Sequence, residues 1–108
     1  MATYMIQASF TADAWANLCK HPEDRGAVVA EQMKTFGGKM LSYYYCFGAY
    51  DVVIITEAPN DAAMMAALAG GASVGHLKAT MTTKLFTSRE TMDAMAEAGK
   101  SVITPPSG

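Results

Sequence analysis

A few side chains in this 108-residue sequence could carry out acid–base chemistry. Asp51 follows Gly48-Ala49-Tyr50 and stands, as a full charge, directly before the apolar run Val52-Val53-Ile54-Ile55. Its carboxylate or the imidazole of His76 could act as a base, and the phenol of Tyr50 as an orienting acid. His76, Asp51 and Tyr50 are therefore the catalytic candidates, although the sequence names no reaction.

Asp51 and Tyr50 also have structural interpretations. Asp51 could accept backbone N–H bonds at the turn or pair with Lys84, because carboxylates near a core are usually paired. We favour this structural interpretation over a carboxylate that belongs to a functional site. Tyr50, predicted to face the helices, is likewise favoured as a core aromatic over a general acid.

The candidate ligand contacts are mostly aromatic. Tyr43, Tyr44 and Tyr45 follow one another on a predicted strand, so they alternate between its two faces. Tyr43 and Tyr45 could line a ligand cavity, but contact with a partner protomer is the favoured interpretation. The full set of ligand-binding candidates is Trp15, Tyr43, Tyr45, Tyr50 and His76.

A histidine–carboxylate dyad would require heavy atoms about 2.6–3.2 Å apart. His76 is expected to start the fourth strand and Glu57 to end the third, at one end of the sheet with the first strand between them. Asp51 is expected at the opposite end. A dyad could then form only through a partner protomer or a water, and a polar histidine at the rim is favoured.

Composition excludes several classes of protein. A net charge of −2 gives no basic surface for nucleic acid, and no apolar run approaches a membrane span. Cys19-Lys20-His21 supplies too few ligands for a metal site, and no phosphate-binding motif occurs. We therefore expect no cofactor and no metal. Two distant cysteines and the absence of a signal-peptide pattern predict a cytoplasmic protein.

These residues are positioned by a predicted β-α-β-β-α-β order. Apolar alternation indicates strands at 3–10, 39–47, 50–57 and 76–86, with Gly48 in the turn between the second and third. Helical patterns fill 11–36, interrupted at Pro22, and 60–71, and a capping box at Thr87 opens an extra C-terminal helix. The pattern predicts an α+β, ferredoxin-like fold with a four-stranded antiparallel sheet in the order 4-1-3-2. One domain is expected over 1–99, followed by a flexible tail over 100–108.

The two faces of this sheet differ in their expected neighbours. The face toward the helices should carry Tyr4, Ile6, Ala8, Tyr50, Val52, Ile54, Leu77, Ala79 and Met81. The other face should carry Met5, Gln7, Ser9, Asp51, Val53, Ile55, Glu57, His76, Lys78 and Thr80. Because apolar side chains on this second face are poorly suited to water, we expect a homodimer or larger oligomer packed sheet to sheet.

The motif Gly48-Ala49-Tyr50-Asp51, followed by Glu57-Ala58-Pro59-Asn60-Asp61 and preceded by Phe36-Gly37-Gly38-Lys39, resembles the GYD family of small bacterial and archaeal proteins. The family motif residues are Gly48, Tyr50 and Asp51. The resemblance implies a dimeric α/β-barrel, a group that includes cofactor-independent monooxygenases, isomerases, haem-handling enzymes and binding proteins. It implies no settled activity.

Three functions remain open at this point. The favoured one is a small homo-oligomeric protein that binds an apolar or aromatic ligand between sheet and helices. The alternatives are a cofactor-independent enzyme of the monooxygenase or isomerase type and a structural assembly protein. Binding is favoured because no two titratable groups are expected to converge on one pocket.

Overall fold

A computed structural model describes residues 1–101 and 104–107. Its elements are β1 (Ala2–Phe10), α1 (Ala12–Lys20), α2 (Arg25–Thr35), β2 (Lys39–Tyr45), β3 (Val52–Ala58), α3 (Asp61–Ser73), β4 (Leu77–Leu85) and α4 (Ser88–Gly99). The strands form one antiparallel sheet in the order β2-β3-β1-β4. The α+β, ferredoxin-like fold with an extra C-terminal helix is thus confirmed. The extent of the domain stays a prediction, and the expected tail, 100–108, lies partly outside the described residues.

Each helix begins at a residue whose side chain satisfies a backbone donor in the first turn. The side-chain oxygen accepts the N–H three residues further on, which otherwise has no partner inside the helix. These N-caps are Thr11, Asp24, Asn60 and Thr87. The local sequence therefore determines where the helices start.

The end of α3 differs from the prediction. We expected Gly70-Gly71 to stop the helix, but it continues to Ser73. Glycine inside a helix costs only about 1 kcal/mol relative to alanine, which packing can offset. The chain leaves the helix at Gly75 instead, where φ is +77°.

The core lies between the sheet and the helices. Tyr4, Ile6 and Ala8 of β1 are 3–5% exposed, and Val52 and Ile54 of β3 are also buried. Their alternation confirms the predicted inner face of both strands. Met33 of α2 and Met64 of α3 cover this face.

A bulge reverses the predicted faces of β4. Phe10 pairs with Leu77, but Ser9 pairs with Ala79, so Lys78 is an extra residue. Leu77 lies toward the helices as expected, whereas Ala79 and Met81 lie on the other face and Thr80 lines the helix side. The predictions for Ala79, Met81 and Thr80 were wrong because strict alternation does not survive an inserted residue.

A second bulge sets the tyrosines of β2. Met40 pairs with Thr56 and Ser42 with Ile55, so Leu41 is the extra residue. Tyr43 and Tyr45 then pair with Ile54 and Val52 of the inner face, while Tyr44 pairs with Val53. We call the side of the sheet away from the helices the open face; it carries Met5, Gln7, Ser42, Tyr44, Val53, Ile55, Ala79, Met81 and Thr83.

The turn between β2 and β3 is longer than predicted. The strands end at Tyr45 and resume at Val52, so residues 46–51 form a loop. Gly48 has φ +108°, and nothing lies within 4 Å of a Cβ added there. The conformation, rather than a lack of space, therefore favours glycine.

Candidate functional site

Asp51 joins the loop to the end of β1 and the start of α1. Its Oδ2 accepts the backbone N–H of Phe10 at 2.9 Å and the indole N–H of Trp15 at 3.2 Å. Its own N–H donates to the Ala8 carbonyl at 2.8 Å, and its carbonyl accepts the Cys46 N–H at 2.8 Å. The Asp51 side chain thus satisfies a backbone donor at a point where the β1 chain turns into a helix.

The proposed partnership of Asp51 with Lys84 is wrong. Lys84 pairs with Tyr4 in the sheet, near the beginning of β1, whereas Asp51 lies beside the end of that strand. The Lys84 ammonium instead contacts Asp61 at 3.0 Å. Because β3 and β4 both run antiparallel to β1, their starting residues lie at one end of the sheet.

The same geometry corrects the placement of His76. We expected His76 at the Glu57 end of the sheet, with the first strand between them, and far from Asp51. His76 instead lies at the Asp51 end, where its carbonyl accepts the Thr11 N–H at 3.0 Å. Asp51 and His76 therefore contact adjacent residues of one segment, Phe10 and Thr11. No hydrogen bond joins their side chains.

Four aromatic rings form a row across this end of the inner face. The Phe10 and Trp15 rings meet edge to face at 5.4 Å, Trp15 and Tyr45 lie 6.2 Å apart, and Tyr43 and Tyr45 lie 5.5 Å apart. Such contacts favour one fixed arrangement of the rings. Tyr45 thus contacts both Tyr43 and Trp15 within one protomer.

A cavity of about 370 Å³ lies between the sheet and helices α1, α2 and α3. Its floor is apolar and comes from alternate residues of the central strands: Ile6, Ala8, Val52 and Ile54. The volume falls within the range of small-molecule sites. Of the candidate ligand contacts, Tyr43 and His76 line it, whereas Trp15, Tyr45 and Tyr50 do not.

Tyr43 brings a hydroxyl to the apolar lining. Burial, with a contribution from Tyr45, raises the pKa of the Tyr43 phenol well above its ordinary value of 10.0. A tyrosine phenol is neutral at physiological pH even at its ordinary pKa, so this hydroxyl is a possible hydrogen-bond donor. Tyr50 is only half-buried and lies outside the core cluster, so it is not the core aromatic that the sequence predicts.

Charged and histidine lining also comes from residues that sequence reasoning missed as site residues. His21, Glu23 and Arg25 from the α1–α2 junction line the cavity. The sequence does contain a signal for this position: a charged run follows Pro22 and directly precedes a helix that must pack on the sheet. The pattern Cys19-Lys20-His21 suggests only a metal ligand, so it does not predict that His21 lines the cavity.

A second polar cluster lies at the opposite end of the sheet. The Tyr4 hydroxyl donates to Asp61 Oδ1 at 2.5 Å, and Lys84 contacts the same oxygen at 3.0 Å. These two donors, Tyr4 first and then Lys84, hold the pKa of Asp61 below its usual value. The same hydrogen bond raises the pKa of Tyr4. The cluster lies outside the cavity lining.

Two classes of feature are not found in the part of the chain that the structure describes. No three His, Cys, Asp or Glu side chains there form a group that could hold a metal ion. No helix within residues 1–101 and 104–107 is long and apolar enough to cross a membrane.

Comparison with solved structures agrees with the fold. The crystal structure of MtbAldR superimposes with a TM-score of 0.57 at 15% identity, covering 81% of this chain and 52% of that one. The present chain thus spans about half the length of MtbAldR. A mutant of MhuD with two manganese protoporphyrin IX molecules per active site matches at a TM-score of 0.45 and 18% identity, over 82% of this chain and 95% of that one.

The fold is therefore a ferredoxin-like α+β fold. The GYD domain model matches residues 4–95, and the chain belongs to the GYD domain family. A protein of Thermus thermophilus named "Glutamine synthetase and cystathionine beta-lyase binding protein" is 34% identical over 82 residues, which is 76% of this chain and 85% of that protein.

Proposed function

We propose that this protein is a cytoplasmic homodimer that binds a small apolar or aromatic molecule in the cavity between sheet and helices. The supporting observation is the cavity itself, about 370 Å³ with an apolar floor of buried strand residues. Burying apolar ligand surface against such a floor would supply about 25 cal/mol per Å². The Tyr43 hydroxyl gives the site a polar group to orient the ligand.

Binding is better supported than catalysis. Asp51, the candidate base, uses its carboxylate to hold Phe10 and Trp15. His76 lines the cavity, but no hydrogen bond joins its side chain to a carboxylate among the described residues. An enzyme of the monooxygenase or isomerase type would need such groups aimed at one reacting atom.

A cavity-filling variant tests the ligand site. Gly71 of α3 lines the cavity, and nothing lies within 4 Å of a Cβ added there. Gly71→Leu should therefore fold but occupy ligand space, whereas Gly99→Leu, at an equally open helical glycine of α4, serves as the matched control. We expect 1-naphthol to raise the melting temperature of the parent and of Gly99→Leu but not of Gly71→Leu. Equal shifts in all three proteins would contradict the assignment of the cavity.

The open face and α4 support the homodimer. Met5, Val53 and Ile55 are only half-buried, and Tyr44 and Met81 are 67% and 51% exposed. Every residue of α4 is exposed, including Met92 and Met95. A second copy packed on the open face would remove this apolar surface from water, as stable interfaces of about 1,200 Å² or more typically do.

A charge on the open face tests the dimer. Ile55→Glu should dissociate it, because an unpaired carboxylate would be buried at the contact. Ala66→Glu places the same charge on the exposed side of α3 and should leave the assembly unchanged. Sedimentation velocity at micromolar concentration measures both, and a monomeric parent would contradict the proposal.

The named partners of the Thermus relative favour a second candidate function: docking on metabolic enzymes. Phe47, in the loop after β2, has a fully exposed side chain, and Tyr45, the last residue of β2, is 51% exposed. Exposed aromatics of this kind are typical anchors of protein interfaces. We expect glutamine synthetase from the same organism to co-sediment with the parent and with Phe86→Ser but not with Phe47→Ser. Loss in neither variant would contradict the Phe47 surface.

A further inference from the structure

We infer that the cavity binds an apolar molecule that ends in a carboxylate, and that Arg25 receives that group. This inference rests on the proposed ligand-binding function and names the chemical class of the ligand. Its basis is the uneven distribution of cationic and donor side chains over the chain.

The lining of the cavity holds most of the arginine and histidine side chains of the chain. The sequence has only two arginines and two histidines, and its net charge is −2. Arg25, His21 and His76 all line the cavity, and Glu23 is the only acidic side chain of the described lining. An acidic protein thus places three of its four arginine and histidine side chains around one apolar space.

Arg25 is the more buried member of the charged pair, Arg25 and Glu23, that lines the cavity. The Arg25 and Glu23 side chains are 30% and 53% exposed, and a single contact of 3.1 Å joins Arg25 Nη1 to Glu23 Oε1. A guanidinium has five N–H donors and binds a carboxylate through two of them side by side. The single contact with Glu23 leaves donors free for a second, ligand carboxylate.

The position of Arg25 suits such a ligand. Arg25 is the first residue of α2 and directly follows the capping carboxylate of Asp24, so the guanidinium, and not the helix N-terminus, is the group available to an anionic ligand. The apolar floor begins below it at Ile54 and Val52, with Tyr43 between. A ligand body on the floor near β2 would bring its carboxylate to Arg25, which fits an aliphatic or aryl monocarboxylic acid.

Two ligands of equal chain length distinguish the contribution of the carboxylate to affinity from that of the apolar chain. We expect calorimetric titration to show octanoate binding about tenfold or more tightly than 1-octanol, because charge-assisted hydrogen bonds add to the same apolar burial. Arg25→Gln should remove this preference while 1-octanol binds unchanged. Arg89→Gln, which alters the exposed arginine of α4, should retain it.

Each result has a distinct meaning. Equal affinity of the parent for both ligands, or a preference that survives Arg25→Gln, would overturn the carboxylate inference and leave the ligand-binding function standing. Binding of neither compound at millimolar concentration would overturn the proposed function itself.

A third variant tests the role of Arg25 even if the Arg25→Gln protein fails to fold. Glu23→Gln keeps Arg25 and removes the competing anion, so we expect octanoate to bind more tightly. Weaker binding of octanoate to Glu23→Gln would contradict the role given to Arg25.

Discussion

Asp51 and Asp61 occupy opposite ends of the same sheet and differ in the donors that they hold. Asp51 accepts one backbone N–H, from Phe10, and one indole N–H, from Trp15. Asp61 accepts from the Tyr4 hydroxyl and contacts the Lys84 ammonium. Asp51 thus satisfies one backbone donor and one side-chain donor, whereas the partners of Asp61 are both side chains.

The difference predicts unequal contributions to stability. A backbone N–H that loses its acceptor near the core has no other partner, and leaving it unpaired costs about 1–3 kcal/mol. The Asp61 and Lys84 side chains are 72% and 42% exposed, so water can replace each of them. Exposed ion pairs contribute little for this reason. We therefore expect Asp51 to contribute more to the free energy of unfolding than Asp61 does.

Asp51→Ala is expected to have the largest effect. It should lower the free energy of unfolding by about 1–3 kcal/mol, because the Phe10 N–H loses its acceptor. Asp51→Asn retains one oxygen acceptor and should be milder. Urea unfolding of both proteins measures the difference. A protein that melts at or above the parent after Asp51→Ala but loses its ligand would instead identify Asp51 as a site residue.

Gly48→Ala should be the next in size and tests the loop that presents Asp51. A φ of +108° is unfavourable for a residue with a Cβ, so we expect a loss of about 1–2 kcal/mol. Gly70→Ala, in the helix α3 with open space around it, is the control and should be neutral or stabilising. A neutral Gly48→Ala in chemical denaturation would show that the loop relaxes at no cost.

Trp15→Phe distinguishes the contribution of the indole N–H to stability from that of the aromatic ring. The substitution keeps an aromatic ring beside Phe10 and Tyr45 but removes the donor to Asp51. Because Trp15 is 38% exposed and the Phe10 N–H remains bonded, we expect a loss of about 1 kcal/mol or less in urea unfolding. A loss as large as that of Asp51→Ala would assign the main role to the indole bond.

Asp61→Asn should have the smallest effect at neutral pH and a distinct pH dependence. The pKa of Asp61 is lowered in the folded protein, so its stabilisation is full above the ordinary aspartate pKa of about 3.9. It is lost as pH falls further, through the lowered value, because the unfolded chain binds the proton first. Urea unfolding of parent and variant should therefore differ at about pH 6 and converge in acid. A constant difference down to about pH 2 would contradict the cause given for this shift.

The two ends also mark what sequence reasoning missed. Hydrophobic alternation predicted the strands and the inner faces of β1 and β3. Capping residues predicted every helix start except that of α2, whose N-cap, Asp24, follows the expected break at Pro22. Sequence reasoning placed the starts of β3 and β4 at opposite ends of the sheet. It therefore predicted wrongly that Asp51 is far from His76 and close to Lys84. The rule that two strands antiparallel to a third are parallel to each other would have corrected both.

The sequence by itself determined the α+β order, the helix caps and the apolar alternation of the central strands, because these depend on residues a few positions apart. Only the tertiary structure decided the faces of β2 and β4, because the bulges at Leu41 and Lys78 arise from pairing with other strands. It also decided that Arg25, His21 and His76 line one cavity, since segments from distant parts of the chain must pack on the same side of the sheet before these residues can surround one space.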